Sequence, residues 1–137
     1  MTDLRIGVIG VGGRGGLAAY AHQPGAGSRI VACCDRDEAM LQRGRERYGT
    51  DIFTTSEYQA LLAQDLDAVF IATPDFWHEE HAIAALDAGK AVYLEKPMAI
   101  TIPGCDRILE TAVRTNGTLY LGHNMRHMAF VLKMKEL

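Results

Sequence analysis

Arg5-Ile6-Gly7-Val8-Ile9-Gly10-Val11-Gly12-Gly13-Arg14-Gly15-Gly16 is the stretch that decides how this chain folds. An apolar strand runs into a glycine-rich turn, and Leu17-Ala18-Ala19-Tyr20 after it reads as the opening of a helix. Gly10, Gly12 and Gly15 fit the G-x-G-x-x-G spacing, each for its own reason. Gly10 permits the sharp turn out of the strand. Gly12 puts no side chain between the backbone and a pyrophosphate, and Gly15 lets the helix lie close on the strand. Gly13 and Arg14, between them, join the same cofactor-binding set. The first-turn N–H groups and the helix dipole then face an anion. Glycines at a tight strand-to-helix turn are weak evidence alone, so the rest of the chain has to agree.

The second requirement is an acidic residue at the end of strand two, placed to bind the adenosine ribose hydroxyls. Asp35 stands twenty residues after Gly15, at the tip of the apolar run Arg29-Ile-Val-Ala-Cys-Cys34. Strand, turn, helix, strand and acid agree on dinucleotide binding. A helix N-cap is a compatible second role for Asp35. A carboxylate here repels a 2′-phosphate, which favours NAD over NADP. Arg36 keeps NADP open, because a guanidinium can stack on adenine or meet a phosphate; its plain alternative is a solvated surface residue.

The pattern then repeats along the chain. Asp37–Tyr48 reads as a helix closed by Gly49, Ile52-Phe53 as a short strand, and Ser56 with Gln59 as a capping box. Asp67–Ala72 is a fourth strand, His78–Ala88 a helix, and Ala91–Leu94 a fifth strand. A helix from about Thr101 accepts Pro103 in its first turn and sets Cys105, Ile108, Leu109 and Ala112 on one face. Thr118–Leu121 is a sixth strand. Strands alternating with helices at this pace imply an α/β fold, a Rossmann-type doubly wound parallel sheet of about six strands flanked by helices. Residues 1–122 read as one dinucleotide-binding domain. Residues 123–137 are a terminal segment with an amphipathic helix from Met128, leading towards something further.

Composition narrows the function. Of 137 residues, 48% are apolar and 23% charged, a globular balance large enough for a real core. A net charge of −3 with no basic stripe gives no reason to expect nucleic acid. No apolar run approaches the roughly 18 residues of a membrane span. The N-terminus has no secretory signal pattern, and the three cysteines form no C-x-x-C, so the expectation is a cytoplasmic protein with Cys33 and Cys34 as small buried hydrophobes.

Thr73-Pro74-Asp75 and Glu95-Lys96-Pro97 occupy equivalent places, the carboxyl ends of strands four and five, where open α/β sheets bind ligands. The nicotinamide half of a cofactor belongs there. Alcohol oxidation leaves a proton to be taken, and a partly desolvated Lys96 near a cationic ring could take it. Glu95 opposes that by favouring the charged lysine, and a surface ion pair with Glu95 is the plain alternative. His78, beside this site, reads equally as a cofactor or substrate contact or as a structural residue. Phe76-Trp77-His78-Glu-Glu-His81 is not H-E-x-x-H, and His81 reads most simply as a helix surface residue. His123 and His127 are four apart, but His123 precedes the helix, so no metal is expected.

With the glycine turn, Asp35-Arg36, Ala72-Thr-Pro-Asp75 and Glu95-Lys96-Pro97 in hand, the chain resembles the glucose–fructose oxidoreductase/inositol dehydrogenase/MocA family from Arg5 to Arg126. The Glu-Lys-Pro triplet on strand five is the specific part. The resemblance implies pyridine-nucleotide oxidation or reduction of sugars, inositols or related polyols. It implies that the lysine matching Lys96 positions substrate and cofactor and often takes part in proton transfer. Asp75 departs from the asparagine often found after the Thr-Pro pair. Family members carry a second, α+β domain with most substrate contacts, so the chain resembles an isolated cofactor domain with little or no turnover of its own. Self-association through apolar surface left without that domain is a further expectation. Two other readings remain: a non-catalytic nucleotide-binding module, or part of a relative that cleaves glycosides with bound NAD.

Overall fold

Val8 and Ile9, like Cys33 and Cys34, are adjacent residues that are all buried, and alternation in a strand sends such neighbours to opposite faces. A sheet buried on both sides follows. The computed structural model describes residues 2–136. Its six strands are β1 (Leu4–Ile9), β2 (Ser28–Cys34), β3 (Phe53–Thr55), β4 (Ala68–Ile71), β5 (Ala91–Leu94) and β6 (Leu119–Leu121). They form one parallel sheet in the order β3-β2-β1-β4-β5-β6. The helices are α1 (Glu38–Tyr48), α2 (Tyr58–Leu62), α3 (His78–Asp87), α4 (Ile102–Arg114) and α5 (Ala129–Met134). The order reverses between β1 and β4, which opens a crevice at the carboxyl ends of these two strands. The α/β doubly wound sheet expected from the sequence is present.

One face packs Ile9, Cys34, Ile71 and Leu94 against Leu61 and Leu62 of α2, Ala82, Ala85 and Leu86 of α3 and Ile108 of α4. The other packs Val8, Ile30, Cys33 and Phe70 against Ala18, Leu41 and Tyr48. Cys33 and Cys34 are free buried thiols, and burial pushes both up to about 12, so they behave as small hydrophobes. Among the described residues no helix is long and apolar enough to cross a membrane.

Several local expectations are corrected. The helix expected after the glycine turn is present and is a 3-10 helix, Gly13–Ala21. In a 3-10 helix side chains three apart eclipse. Gly15 and Ala18, both buried, share such a row, so the tighter winding lays the smallest residues on the sheet. The Ser56/Gln59 capping box does not form. Thr55 Oγ1 accepts the Glu57 N–H at 3.0 Å, Ser56 bonds the Glu57 carboxylate, and Glu57 is the N-cap of α2 without a side-chain bond. On α4 the buried row is Gly104, Ile108 and Thr111, and Leu109 is 48% exposed. Thr101 does cap α4, accepting the Gly104 N–H at 3.0 Å. Beyond β6, the 3-10 segment Asn124–His127 and α5 leave Met125, Phe130, Leu132 and Met134 exposed. The amphipathic helix expected from Met128 is thus limited to Ala129–Met134; Leu137 lies outside the described residues.

Candidate functional site

Backbone bonds align the strand ends before any side chain is considered. Gly10 donates to Cys34 O at 2.9 Å, Ala72 to Ile9 O at 2.9 Å, and Asp35 to Thr55 O at 3.2 Å. Gly10 takes φ +86°, and a Cβ there would sit 2.8 Å from Ala72 O, so the turn leaves β1 in a conformation only glycine accepts at this distance. Gly12 faces Met40, whose sulfur would lie 3.1 Å from a Cβ at that position. Gly13 has φ +51° with nothing within 4 Å of its Cβ direction, leaving its backbone open.

Asp35 closes the β2 side. Its Oδ2 accepts the N–H groups of Val11 at 2.9 Å and Gly12 at 3.4 Å, and its Oδ1 accepts that of Asp37 at 3.0 Å. The carboxylate therefore fixes the glycine turn as well as lining the crevice. The N-cap role falls to Asp37, whose Oδ1 accepts the Ala39 N–H at 2.8 Å.

A cleft of about 640 Å³ opens at the switch point. It brings together Gly10, Gly12, Asp35, Arg36, Thr73 and Pro74 from the sequence reading. Gly13, Arg14, Gly15, Asp75, His78, Glu95, Lys96 and Pro97 do not line it. Gly13 and Arg14 are exposed on the rim of the turn, and Gly15 is buried beneath it. Asp75 is exposed in the 3-10 turn Asp75–Trp77. Residues that the sequence reading did not select also form walls: Met40, Tyr58, Trp77, Glu80 and His81. Trp77 is the chain's only tryptophan. Its position just past a strand-end Thr-Pro-Asp was the one signal that could have marked it.

His78 ties the ends of β4 and β5 together. It is 1% exposed, with Nε2 2.9 Å from Thr73 O and Nδ1 2.6 Å from Pro97 O. A neutral ring donates to one of these carbonyls, an imidazolium to both. The side chain is thus a structural pin between the two loops.

His81 is not a surface residue. It is 7% exposed, with Nδ1 3.1 Å from Thr73 Oγ1. Burial, with smaller contributions from His78 and Arg36 against Glu80, lowers its pKa to about 4. The helical spacing could have shown this, since His78, His81, Ala82, Ala85 and Leu86 fall on one stripe and all five are buried.

At the end of β5, Glu95 is 3% exposed. Its Oε1 accepts from Tyr93 Oη at 3.3 Å and its Oε2 from the Lys96 N–H at 3.2 Å. Burial and the adjacent Glu95 carboxylate raise the Tyr93 pKa. The Lys96–Pro97 peptide is cis. Lys96 is exposed rather than partly desolvated, and among the described residues it forms no ion pair. The Glu95 carboxylate is turned inward by the two donors that hold it, so the expected surface pair has no partner.

The family model described as an oxidoreductase family with an NAD-binding Rossmann fold matches residues 4–123. A glycosyl hydrolase family 109 protein of Shewanella baltica is 33% identical over 93% of this chain, which covers 30% of that protein. The WlbA dehydrogenase from Bordetella pertussis, solved with NADH and UDP-GlcNAcA, superimposes with a TM-score of 0.90 at 28% identity. That match covers 99% of this chain and 41% of the other. Scyllo-inositol dehydrogenase from Lactobacillus casei, with bound NAD(H) and scyllo-inositol, gives a TM-score of 0.88 at 25% identity, over 98% of this chain and 40% of that one. The chain therefore spans well under half the length of these relatives. Together with the crevice at the switch point, the match shows that the chain belongs to the GFO/IDH/MocA oxidoreductase family, of which residues 4–123 form the NAD-binding Rossmann domain.

Proposed function

We propose that this domain holds NAD(H) for a dehydrogenase that acts on a CH–OH group of a sugar, inositol or related polyol. The observation that carries the reading is the cleft at the β1/β4 switch point, with an acidic residue fixed at its β2 edge. Its volume falls within the range of small-molecule sites. The open backbone at Gly13 suits a pyrophosphate, and the Asp35 carboxylate suits ribose hydroxyls. Residues 1–122 are the dinucleotide-binding part, and 123–137 lead towards the part that selects substrate.

Bound NAD supplies a hydride acceptor, and NADH a hydride donor. The chain's own residues orient and move the proton. Thr73 and Pro74 would wall the nicotinamide end, and Lys96 would accept the proton of the substrate hydroxyl. Lys96 is exposed in this domain, so the reading requires the bound substrate to cover it. Replacing Lys96 by alanine in a longer enzyme carrying this domain should lower kcat about 100-fold. NAD affinity measured by calorimetry should stay within about twofold. An unchanged kcat would favour a non-catalytic nucleotide-binding module.

Asp35 makes NAD the preferred cofactor, since its charge opposes a 2′-phosphate. Calorimetric titration should show NAD binding about tenfold tighter than NADP, a difference of about 1.4 kcal/mol. Asp35→Asn keeps an oxygen for the Val11 N–H and should narrow that gap. Tighter binding of NADP by the natural sequence would refute the preference. The 33% identity to a glycosyl hydrolase family 109 protein favours one second reading, glycoside cleavage through transient oxidation. Release of p-nitrophenol from a p-nitrophenyl glycoside without net NADH, by a longer protein carrying this domain, would select it.

A further inference from the structure

Phe70, Tyr93 and Tyr120 stand opposite one another in register on β4, β5 and β6. Residues in register on neighbouring strands point to one face, so the three rings form a ladder across the sheet. Phe70 and Tyr93 stack at 6° with centroids 4.5 Å apart, and Tyr93 and Tyr120 follow at 24° and 5.5 Å. Tyr93 is the middle rung, held from both sides. Glu95 lies two residues after Tyr93, and Gly122 two after Tyr120, so alternation brings both to the same face. Gly122 leaves room there: a Cβ on it would stand 2.6 Å from Tyr93 Oη and 3.2 Å from Glu95 Oε1. Into that room the phenol reaches, donating to Glu95 Oε1 at 3.3 Å.

That bond decides which way Glu95 faces. The buried carboxylate has two donors, the Tyr93 hydroxyl and the Lys96 N–H at 3.2 Å. Around the phenol the other polar and charged groups are Tyr120 and Arg14. A buried carboxylate that loses a donor is costly, and turning out towards water relieves the cost. The next residue along the chain is Lys96, exposed and, among the described residues, in no ion pair. An amine takes up a proton only while uncharged, and a carboxylate beside it favours the ammonium.

We propose that Tyr93 is a positioning residue for Lys96: by keeping Glu95 turned inward it denies the lysine a counter-ion and leaves the amine free to take a proton. The proposal rests on the reading of Lys96 as proton acceptor and adds the residue that keeps it available. Tyr93 acts through Glu95 and needs no contact with substrate or cofactor. Tyr93→Phe is the selective lesion, since a ring stays between Phe70 and Tyr120 and only the hydroxyl is lost.

Trace acetylation tests this in the 137-residue chain without cofactor or turnover, because only an uncharged amine reacts. Lys133, paired with Glu136 on α5, is the internal reference in peptide mass spectrometry. Tyr93→Phe should lower the labelling of Lys96 relative to Lys133 about threefold, the scale of an exposed ion pair. Adding Glu95→Gln to that variant should restore it, since an amide offers no counter-charge. Glu95→Gln alone should leave Lys96 labelled as in the parent. In a longer enzyme carrying this domain, Tyr93→Phe should move the acid limb of the kcat profile to higher pH, whereas a merely structural defect lowers kcat at every pH. A Tyr93→Phe variant that is folded by circular dichroism and labelled like the parent would overturn the proposal. So would a loss of labelling that Glu95→Gln does not restore. Should the phenylalanine variant not fold, a threefold rise in Lys96 labelling with Glu95→Gln alone would show the carboxylate already pairing with the amine, and would overturn it too. Labelling as expected beside an unchanged kcat for Lys96→Ala would remove the proton-acceptor reading and leave the hold of Tyr93 on Glu95 in place.

Discussion

Gly15→Ala should lower the unfolding free energy by more than about 3 kcal/mol, in the range of the most damaging single substitutions, and abolish dinucleotide binding. A Cβ on Gly15 would stand far inside van der Waals contact of Gly10 O and 2.8 Å from Gly10 C. Both atoms are backbone, so no flexible side-chain tip can give way. Gly10 cannot retreat either. Its N–H is bonded to Cys34 O at 2.9 Å, and its own Cβ direction is closed by Ala72 O. The turn must therefore open, which breaks the alignment of β1 with β2 and β4 at the point where the cleft begins. Gly13→Ala is the control. It also has positive φ, but nothing lies within 4 Å, so its cost is the left-handed conformation alone, about 1 kcal/mol. Urea unfolding of the two variants beside the parent measures the difference. A Gly15→Ala variant within about 1 kcal/mol of the parent would show that the turn yields more easily than this packing allows.

That contrast also marks what was legible in the sequence. The sheet was readable because its evidence is redundant: six short apolar runs, each followed by a turn and a helical pattern, admit few alternatives. Gly10, Gly12 and Asp35 were readable because a strand-end turn and an acid at a fixed spacing constrain each other. Features set by one side chain choosing among close competitors were not readable. Thr55 and Ser56 both had hydroxyls in reach of the start of α2, and Thr55 Oγ1 takes the Glu57 N–H. The inward turn of Glu95 depends on Tyr93 Oη and the Lys96 N–H, neither visible as a pattern. The 3-10 winding after the glycine turn goes with small residues at a spacing of three, and the apolar pattern pointed to a helix without giving its winding. His81 was misjudged for another reason: histidine is usually read by its chemistry, whereas here its position on the buried stripe of α3 decides its environment.

That environment makes His81 a source of acid sensitivity. In the unfolded chain its imidazole titrates near 6.5, and in the fold near 4, chiefly because burial disfavours the charged ring. Below pH 6.5 the unfolded chain therefore binds a proton that the folded one refuses. The stability due to neutral His81 is complete above pH 6.5 and is lost progressively as the pH falls from 6.5 to 4, about 3 kcal/mol in all. The groups facing the ring act in both directions. Glu80 favours the proton, while His78 and Arg36 oppose it. Asp3, Asp67 and Glu79, whose hydrogen bonds hold their carboxyls below the ordinary value, add losses that begin near 3.8 for the two aspartates and 4.5 for Glu79 and continue to lower pH. His81→Phe keeps a ring between Trp77 and Tyr58 but cannot titrate, and it gives up the bond to Thr73 Oγ1. It should therefore be somewhat less stable than the parent at pH 7.5 and lose much less than the parent on moving to pH 4.5. Guanidinium unfolding midpoints of both proteins at the two pH values decide the matter. Equal losses in parent and variant would assign the acid sensitivity to groups other than His81.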